Sequence, residues 1–465
     1  MGMVRKADAI GTVPPSIEPS RDRLAYELVY CYPPAMSLPQ TSVEEVIGNL
    51  DGWSQHLANA AVYIHLPFCT GRCTYCHYAR RTKRGGDHAA ASEYLEVLKQ
   101  EVRLLKGVLP LDGSPTRIIH FGGGTPTFLS ADQIQETMDF VSEEVPLHSQ
   151  AEITWESSPE TILENGGEKI DALLQTGVNR LNIGIQSFDD RMLKVMARRY
   201  RSADAIRAIT LSRDKGFKNV NIDLIYGLPD QTTTIWEHTL AKVGELRPES
   251  VTVYQLRVKP GTPISRIPHT RFPDEQTCFD MSQTTLDWLG TLGYQAWQPN
   301  QFVLGKEYVH RYLKSKWEGQ SEVIGIGVSA YSFVNNCMYV NHRILPEYYE
   351  SIRGGRLPIW VGKKLSWEQQ VAKAIVLGIK LLPNGVDKEV FAERFGIRPE
   401  DHYADAIRTL TEAGLVESGP RYLRLTEKGI LLADEVCTEF YAEEDKEALR
   451  KMGATRYGSY FDPLK

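Results

Sequence analysis

The sequence predicts an α/β protein whose core is an open, partial barrel of six βα units, followed by a mainly helical, winged-helix-like C-terminal domain. Six short β-rich runs occur between residues 61 and 256, namely AVYIHL, RIIHF, AEITWE, RLNIGI, NVNIDLI and VTVYQL. Amphipathic helical patterns separate them, and this alternation is typical of parallel βα units. A closed barrel of this type has eight such units, so six predict an incomplete one.

The pattern divides the chain into four predicted segments. They are an N-terminal arm and lead-in (1–60), the βα core (61–260), an extension that covers the site (261–364) and the winged-helix-like domain (365–465). The last segment reads as successive helices followed by the hairpin-like run RYLRLTEKG. A DNA-reading winged helix would carry a basic stripe. None is visible here, so a structural or substrate-covering role is favoured.

Composition and charge exclude several classes of protein. The formal net charge of −6 over 465 residues is mild and argues against general nucleic-acid binding. No apolar run is as long as a membrane span, and the first residues contain no apolar signal core. The seven cysteines show no paired pattern, which fits a reducing cytoplasm. We therefore expect a cytoplasmic monomer with a small-molecule substrate.

Three cysteines directly after the first predicted strand indicate a metal centre. Cys69, Cys73 and Cys76 lie in FCTGRCTYCH, with the spacing CxxxCxxC. Three thiolates can hold three irons of a cubane and leave the fourth iron open to a substrate group, whereas most iron–sulfur proteins use four cysteines. A zinc knuckle or a structural cysteine cluster is the alternative. Zinc sites prefer two CxxC pairs, and the remaining cysteines are scattered singly at Cys31, Cys278, Cys337 and Cys437.

Polar residues also lie in, at the end of, or just after the other predicted strands, near the ends where parallel βα proteins place functional groups. In chain order these residues are the run Gly122, Gly123, Gly124 and Thr125, then Glu156, Gln186, Asp223, Tyr254 and Gln255. The glycines allow a backbone to approach a ligand without Cβ contacts. Because these residues share a position near the ends of parallel strands, the sequence predicts one site at one end of the core.

Two carboxylates and one arginine are candidate ligand-binding groups. Glu156 and Asp223 lie in apolar strand sequences, where an unpaired carboxylate is costly to bury. We interpret them as partners of an ammonium or hydroxyl group; an ordinary salt bridge at a strand end is the alternative. Arg198 has the geometry to clamp a carboxylate, although Arg198 and Arg199 also suit a solvated helix end.

Taken together, these motifs resemble the radical S-adenosylmethionine (SAM) superfamily, and in particular its HemN-like branch. The matching runs are YIHLPFCTGRCTYC, FGGGTPTFL, WESSP, NIGIQSF, NIDLIYGLP and YQLRVKPGTP. The resemblance implies a partial barrel of the radical SAM type and a [4Fe-4S] cluster on the three cysteines. It also implies that the open iron chelates SAM, that reductive cleavage yields a 5′-deoxyadenosyl radical, and that flavodoxin or ferredoxin donates the electron.

The same resemblance assigns expected roles to individual residues. Tyr63 would lie near the cluster, and the Gly122–Thr125 run would line the methionine moiety. Amino, carboxylate or ribose groups would be held by Glu156, Gln186, Arg198 and Asp223. The branch can bind a second SAM, expected beside Gly124, Thr125, Tyr254, Gln255 and the 327–332 segment, with Tyr331 closing that position. Tyr63 and Tyr331 are the candidate catalytic residues; ordinary half-buried aromatics are the alternative for Tyr254 and Tyr331.

Two local departures guide the choice of reaction within the branch. Coproporphyrinogen oxidases carry a further cysteine two residues after the third cluster cysteine, where this chain has Tyr78. Haem chaperones of the HemW type carry HNxxYW, where this chain has YLKSKW at 312–317. By elimination we predict a HemN-like C-methyltransferase or cyclopropane-forming enzyme, which uses two SAM molecules to transfer a one-carbon unit to an sp² carbon of a natural-product substrate. The alternatives are an oxidase-like or haem-degrading porphyrin enzyme and a haem chaperone.

Overall fold

The structure, a computed structural model, describes residues 31–50, 53, 60–78, 81–82, 87–111, 113–318 and 322–460. The strands are β1 Ala60–Leu66, β2 Phe68–Cys69, β3 Arg81–Thr82, β4 Thr116–Gly123, β5 Leu147–Ser157, β6 Arg180–Gln186, β7 Val220–Tyr226, β8 Ser250–Gln255, β9 Gln295–Gln298, β10 Gln301–Val303, β11 Glu322–Ile326, β12 Tyr331–Val334, β13 Cys337–Asn341, β14 Ile359–Lys364, β15 Val386–Asp387, β16 Val416–Ser418 and β17 Tyr422–Leu425. The helices are α1 Val43–Leu50, α2 His88–Lys106, α3 Ala131–Glu144, α4 Pro159–Leu163, α5 Glu168–Gln175, α6 Asp190–Val195, α7 Ser202–Lys215, α8 Thr233–Leu246, α9 Glu275–Thr291, α10 Arg311–Trp317, α11 Leu345–Arg353, α12 Trp367–Gly378, α13 Lys388–Phe395, α14 Pro399–Glu412, α15 Glu427–Leu431, α16 Ala433–Glu439 and α17 Glu443–Tyr460. The predicted arm at residues 1–20 lies outside the described residues.

Six parallel strands form the core and confirm the six predicted βα units. The strands β1, β4, β5, β6, β7 and β8 are neighbours in this order, and each pairs in parallel with the next. Helices cover the sheet, so the strands are buried on both faces and their sequences are nearly continuous apolar runs. The side chains of Phe121 on β4 and Trp155 on β5 stack with ring centroids 4.2 Å apart in this core.

The sheet continues past both edges of the six-stranded core and reaches twelve strands. On one side β11 pairs in parallel with β1, and β12, β13 and β14 follow in antiparallel order. On the other side β10 pairs antiparallel with β8, and β9 pairs with β10. The terminal strands β14 and β9 are not paired with each other, so the barrel remains open as predicted. The sequence did not predict that β11 extends the parallel sheet.

The C-terminal region is mainly helical and has its own apolar core. The helices α12–α17 surround a small antiparallel sheet in the order β15–β17–β16. Val371, Ile375, Leu410 and Phe440 are fully buried there. None of the helices within the described ranges is both long and apolar enough to cross a membrane.

A segment near the N-terminus is attached to the last helix. The Tyr32 hydroxyl donates to Asp445 Oδ2 at 2.6 Å and accepts the backbone N–H of Ala442 at 2.8 Å. Gln369 Nε2 also donates to the Asp445 carboxylate, at 2.9 Å. Tyr32 and Asp445 are both buried. This junction holds residues 31–35 against the C-terminal region, next to the cavity described below.

Candidate active site

A cavity of about 580 Å³ opens at the carboxyl ends of the parallel strands. Its wall brings together nearly all the residues that the sequence singled out. These are Tyr63, Cys69, Cys73, Cys76, Gly123, Gly124, Thr125, Glu156, Gln186, Arg198, Asp223, Tyr254, Gln255 and Tyr331. Gly122 lies behind the wall, where a Cβ would be 2.9 Å from His120 Nε2 and 3.1 Å from the Glu156 carboxyl carbon.

The three cysteines lie on one loop that is fixed to the core at its middle. Cys69 ends β2, and Cys73 and Cys76 follow on the loop. Thr74 anchors this loop: its N–H donates to Met196 O at 3.1 Å and its hydroxyl to Val195 O at 3.0 Å. All three cysteines are half-buried and none forms a disulfide. The loop therefore presents three cysteine side chains, none of them in a disulfide, to one cavity.

Polar groups beside the sulfurs suit thiolates. Arg198 Nη1 donates to Cys73 Sγ at 3.1 Å, and Thr125 Oγ1 lies 3.8 Å from Cys69 Sγ in donating geometry. Cysteine binds metal as the thiolate, and hydrogen-bond donors suit an anionic sulfur. The remaining Arg198 nitrogens donate to Gly184 O at 2.8 Å and to the Tyr200 hydroxyl at 2.9 Å. These contacts place Arg198 beside the cysteine loop.

The donor set fits an iron–sulfur cluster better than a single metal ion. Across the described residues, no three histidine, cysteine, aspartate or glutamate side chains are grouped as ligands of one ion would be. A cubane is wider than one ion and is held by thiolates. The three thiols around one anchored loop, with a guanidinium and a hydroxyl near two of the sulfurs, meet that requirement.

The glycine run lets the second βα unit pack tightly against the cysteine loop. A Cβ on Gly124 would lie 2.5 Å from Phe68 O and 3.0 Å from Cys69 Sγ. Gly123 has φ +115°, and a Cβ there would lie 2.8 Å from the His65 ring. The backbone N–H of Thr125 donates to Phe68 O at 2.7 Å. The absence of side chains at these positions therefore sets the position of the first cysteine.

Substitution of Gly124 with alanine is expected to lower the iron content after anaerobic reconstitution to less than half that of the wild type. The added methyl would meet backbone atoms that cannot move aside, and would push Cys69 out of place. Iron and sulfide analysis gives the measurement. Gly48→Ala is the control, because nothing lies within 4 Å of its new Cβ. Unchanged iron content in Gly124→Ala would show that the close approach is not needed.

The Glu156 carboxylate is held at the strand ends by two donors. Its Oε1 lies 3.1 Å from His120 Nε2, and its Oε2 accepts the Gly123 N–H at 3.2 Å. The Glu156 side chain is 37 % exposed, whereas that of His120 is 5 % exposed. The carboxylate thus faces the cavity while its partner is buried behind it. This arrangement leaves Glu156 accessible to a ligand ammonium or hydroxyl.

Asp223 is the second carboxylate of the site. Asn221 Nδ2 donates to its Oδ1 at 2.8 Å. Burial, and then the negative charge of Glu156, raises the pKa of the Asp223 carboxyl to about 7. A cationic or hydroxyl-bearing ligand between the two carboxylates would reduce this repulsion.

Aromatic side chains form the floor of the cavity. The Tyr63 hydroxyl lies 3.0 Å from His65 Nδ1, and the Tyr63 ring stacks on His120 with centroids 5.7 Å apart. The Tyr312 ring stacks against both, with its centroid 4.7 Å from that of His120 and 5.8 Å from that of Tyr63. Tyr331 lies beside Tyr312. The two candidate catalytic tyrosines therefore belong to one aromatic group.

The remaining predicted residues end two strands. Gln186 is buried at the end of β6 with φ +68°, where the register with β7 shifts. Tyr254 and Gln255 end β8 and are half-buried. The structure brings these side chains together at the cavity, and their roles toward SAM are predictions.

The cavity wall also includes residues that the sequence did not single out. They include Cys31, His120, Arg257, Lys259, His310, Tyr312, Lys316, Arg343, Lys380, Asp434 and Glu435. Asp434 accepts from Lys380 Nζ at 2.6 Å, and Arg257 lies 3.6 Å from Asp434 and 3.9 Å from Glu435. Arg257 and Lys259 come just after the sixth predicted strand. The tendency of functional residues to lie at the ends of parallel strands could therefore have identified them. The C-terminal residues had no such signal.

Comparisons with known proteins agree with this geometry. Residues 63–243 match the radical SAM superfamily, and residues 365–432 match the HemN C-terminal domain. The heme chaperone HemW of Bacillus subtilis is 28 % identical over 389 residues, covering 82 % of this chain and 99 % of that protein. The oxygen-independent coproporphyrinogen III oxidase of Escherichia coli is 28 % identical over 399 residues, covering 82 % and 85 %. The solved structure of the Escherichia coli coproporphyrinogen III oxidase HemN superposes with a TM-score of 0.78 at 25 % identity, covering 89 % of this chain and 97 % of that one.

These relatives overturn the predicted reaction. The sequence-based choice of a one-carbon-transferring methyltransferase or cyclopropane-forming enzyme is wrong, because the similar proteins are coproporphyrinogen oxidases and a haem chaperone. That choice rested on two short departures, at Tyr78 and at 312–317. The similarity to the oxidases and the chaperone spans more than four fifths of the chain. Similarity over most of the chain is therefore stronger evidence for the reaction than differences at a few positions.

Proposed function

We propose that this chain is a radical SAM enzyme that acts on a tetrapyrrole with carboxylate side chains, because residues 63–243 match the radical SAM superfamily and residues 365–432 match the HemN C-terminal domain. The favoured reaction is oxidative decarboxylation of such a side chain. One observation carries the proposal: the core and the C-terminal region together wall the cavity, and the HemN structure matches this whole arrangement at a TM-score of 0.78.

The cofactors of the site are a [4Fe-4S] cluster and SAM. When bound, the cluster would supply the electron for reductive cleavage of SAM. In this proposal Cys69, Cys73 and Cys76 bind the irons, and Glu156 and Asp223 hold amino or ribose groups of SAM. The electron comes from an external donor such as flavodoxin or ferredoxin.

The charge of the cavity wall supports an anionic substrate. Besides Arg198 and Arg199, the wall contains five basic residues, which are Arg257, Lys259, Lys316, Arg343 and Lys380. Two carboxylates of the C-terminal region, Asp434 and Glu435, lie among them. At the rim, Tyr78 is 50 % exposed and stacks on His77 with centroids 4.7 Å apart. Basic groups suit carboxylates, and exposed aromatic faces suit a flat ring system.

A haem chaperone is the second candidate. Tyr78 stands where coproporphyrinogen oxidases carry a cysteine, and the similarity to HemW covers 99 % of that protein. A chaperone of this kind would bind haem in a fixed ratio and would not consume a porphyrinogen.

Anaerobic turnover tests the proposal. Reconstituted protein with coproporphyrinogen III, SAM, dithionite and an electron acceptor is expected to release carbon dioxide and 5′-deoxyadenosine without S-adenosylhomocysteine. Cys76→Ala is the control and should release neither product. Cleavage of SAM with the porphyrinogen recovered unchanged would contradict the decarboxylase, and stoichiometric haem binding under those conditions would favour the chaperone.

A further inference from the structure

A row of polar side chains crosses the inner face of the sheet and ends at Gln298. Asp223 of β7 lies opposite Thr252 of β8. Thr252 lies opposite Gln301 of β10, which in turn lies opposite Gln298 of β9. Residues that lie opposite each other on neighbouring strands share a face of the sheet, and all four line the cavity. The row therefore leads from Asp223, an expected SAM ligand, to the edge of the sheet at β9.

Gln298 has an amide hydrogen-bond donor that the protein leaves unused. The residue is 2 % exposed, and its Nε2 has no hydrogen-bond partner among the residues that the structure describes. By contrast, Thr252 Oγ1 lies 3.2 Å from Gln301 Oε1, and Asp223 Oδ1 accepts from Asn221 Nδ2 at 2.8 Å. A buried donor without an acceptor is costly. A ligand in the cavity that brings an acceptor to Gln298 would remove this cost.

The position of Gln298 favours a substrate over SAM as this ligand. Gln298 lies two strands beyond β8, at the end of the row away from Asp223. The C-terminal region meets the sheet there, because the carbonyl oxygen of the neighbouring Trp297 accepts the backbone N–H of Leu382 at 2.9 Å. In the proposed function, the substrate occupies the space that the core and the C-terminal region enclose together. Gln298 faces that space.

Charged side chains on the same side of the cavity balance one another. Arg257 follows β8, which only β10 separates from β9. Its Nη2 lies 3.6 Å from Asp434 and 3.9 Å from Glu435, and Lys380 Nζ donates to Asp434 at 2.6 Å. These two cations and two carboxylates together carry no net charge, so they do not exclude an anionic ligand. The Arg257 Nε is also buried without a hydrogen-bond partner among the described residues.

We propose that Gln298 is a specificity-determining residue whose Nε2 donates a hydrogen bond to one carboxylate of the substrate. This inference rests on the proposed function, in which a tetrapyrrole presents several carboxylates to the wall. An ionised carboxylate only accepts hydrogen bonds, so it matches the unused donor of Gln298. Filling this subsite holds one edge of the ring at β9. It thereby limits which side chain of the ring reaches the residues expected to bind SAM.

Fluorescence titration of the reconstituted protein with coproporphyrin III tests this subsite. Gln298→Met removes the amide and is expected to weaken binding by about 10- to 100-fold, which is the loss of one hydrogen bond to a charged group. Gln298→Glu places a negative charge beside the substrate carboxylate and should weaken binding further. A derivative of the porphyrin with its carboxylates converted to neutral hydroxyethyl amides should bind Gln298→Glu no more weakly than Gln298→Met, because the repulsion between like charges is absent.

The matched control is Gln295→Glu, which makes the same change at an exposed position of β9 and should leave both titrations unchanged. The wild type should also bind the acid more tightly than the amide. Unchanged affinity for the acid in Gln298→Met, or equal losses for acid and amide in Gln298→Glu, would overturn the subsite. If the wild type binds acid and amide equally, the tetrapyrrole proposal survives and the subsite is wrong. If the wild type binds neither, both proposals are wrong.

Discussion

Replacement of Cys73 by alanine is expected to remove the [4Fe-4S] cluster and to reduce SAM cleavage to background. With two thiolates left on the loop, a cubane loses one of its three protein ligands. Arg198 Nη1, which donates to Cys73 Sγ at 3.1 Å, would also lose this anionic partner. Iron and sulfide content, the visible absorption of the reconstituted protein, and 5′-deoxyadenosine formed with dithionite give the measurement.

A cysteine outside the cavity wall provides the matched control for this change. Cys278 lies on α9 and is half-buried, as is Cys73. Cys278→Ala should keep full iron content and full SAM cleavage. Retention of both properties in Cys73→Ala, or their loss in Cys278→Ala, would mean that the cluster is not held by the CxxxCxxC loop.

Replacement of Glu101 by alanine is expected to lower the free energy of unfolding by at least about 3 kcal/mol, the scale of a broken buried polar network. Glu101 lies on α2 and is 1 % exposed. Its carboxylate accepts from the Gly327 N–H at 2.8 Å, Asn341 Nδ2 at 2.7 Å and the Tyr348 hydroxyl at 2.5 Å. Alanine would leave three buried donors without this acceptor. Denaturant unfolding measures the change.

An exposed glutamate of the same helix is the control. Glu96 pairs with Lys99 at 2.7 Å and its side chain is 62 % exposed. Glu96→Ala should change the free energy of unfolding by less than about 1 kcal/mol, as for other exposed pairs. Similar losses for the two variants would show that the Glu101 network is not a main source of stability.

The ionisation of Glu101 also predicts how stability changes with pH. Burial raises the pKa of its carboxyl to about 7 in the folded protein, above the ordinary value near 4.5. Between these values the folded state binds more protons than the unfolded state, so the free energy of unfolding falls as the pH rises. Glu101→Gln should reduce this slope. An unchanged slope would mean that Glu101 does not titrate in this range.

The fold was predictable where the pattern is local and regular. The six core strands are buried on both faces, so each appears as a short apolar run between helices. The seventh parallel strand, β11, was not assigned to the barrel. Its partner β1 lies more than two hundred residues earlier in the chain. Pairing across such a separation leaves no periodic signal in the sequence.

In the site, the residues at the strand ends could be grouped from the sequence, and the others could not. Topology places the ends of parallel strands at one edge, so the strand pattern alone was enough to group Glu156, Asp223 and Gln255. Lys316 and Asp434 meet the same cavity from a short helix and from the C-terminal region. The sequence around each of them is typical of an ordinary helix with polar surface residues. Only the three-dimensional arrangement brings them to the cavity wall. The reaction was not predictable from Tyr78, because one position does not define a substrate.

The contact between Tyr32 and Asp445 implies an order of events during synthesis. A chain emerges from the ribosome with its N-terminal part first, so residues 31–35 and the cysteine loop are made long before Asp445. The side of the cavity formed by this early segment gains its anchor only when the last helix appears. Until then the cavity wall beside the cysteine loop is incomplete on this side.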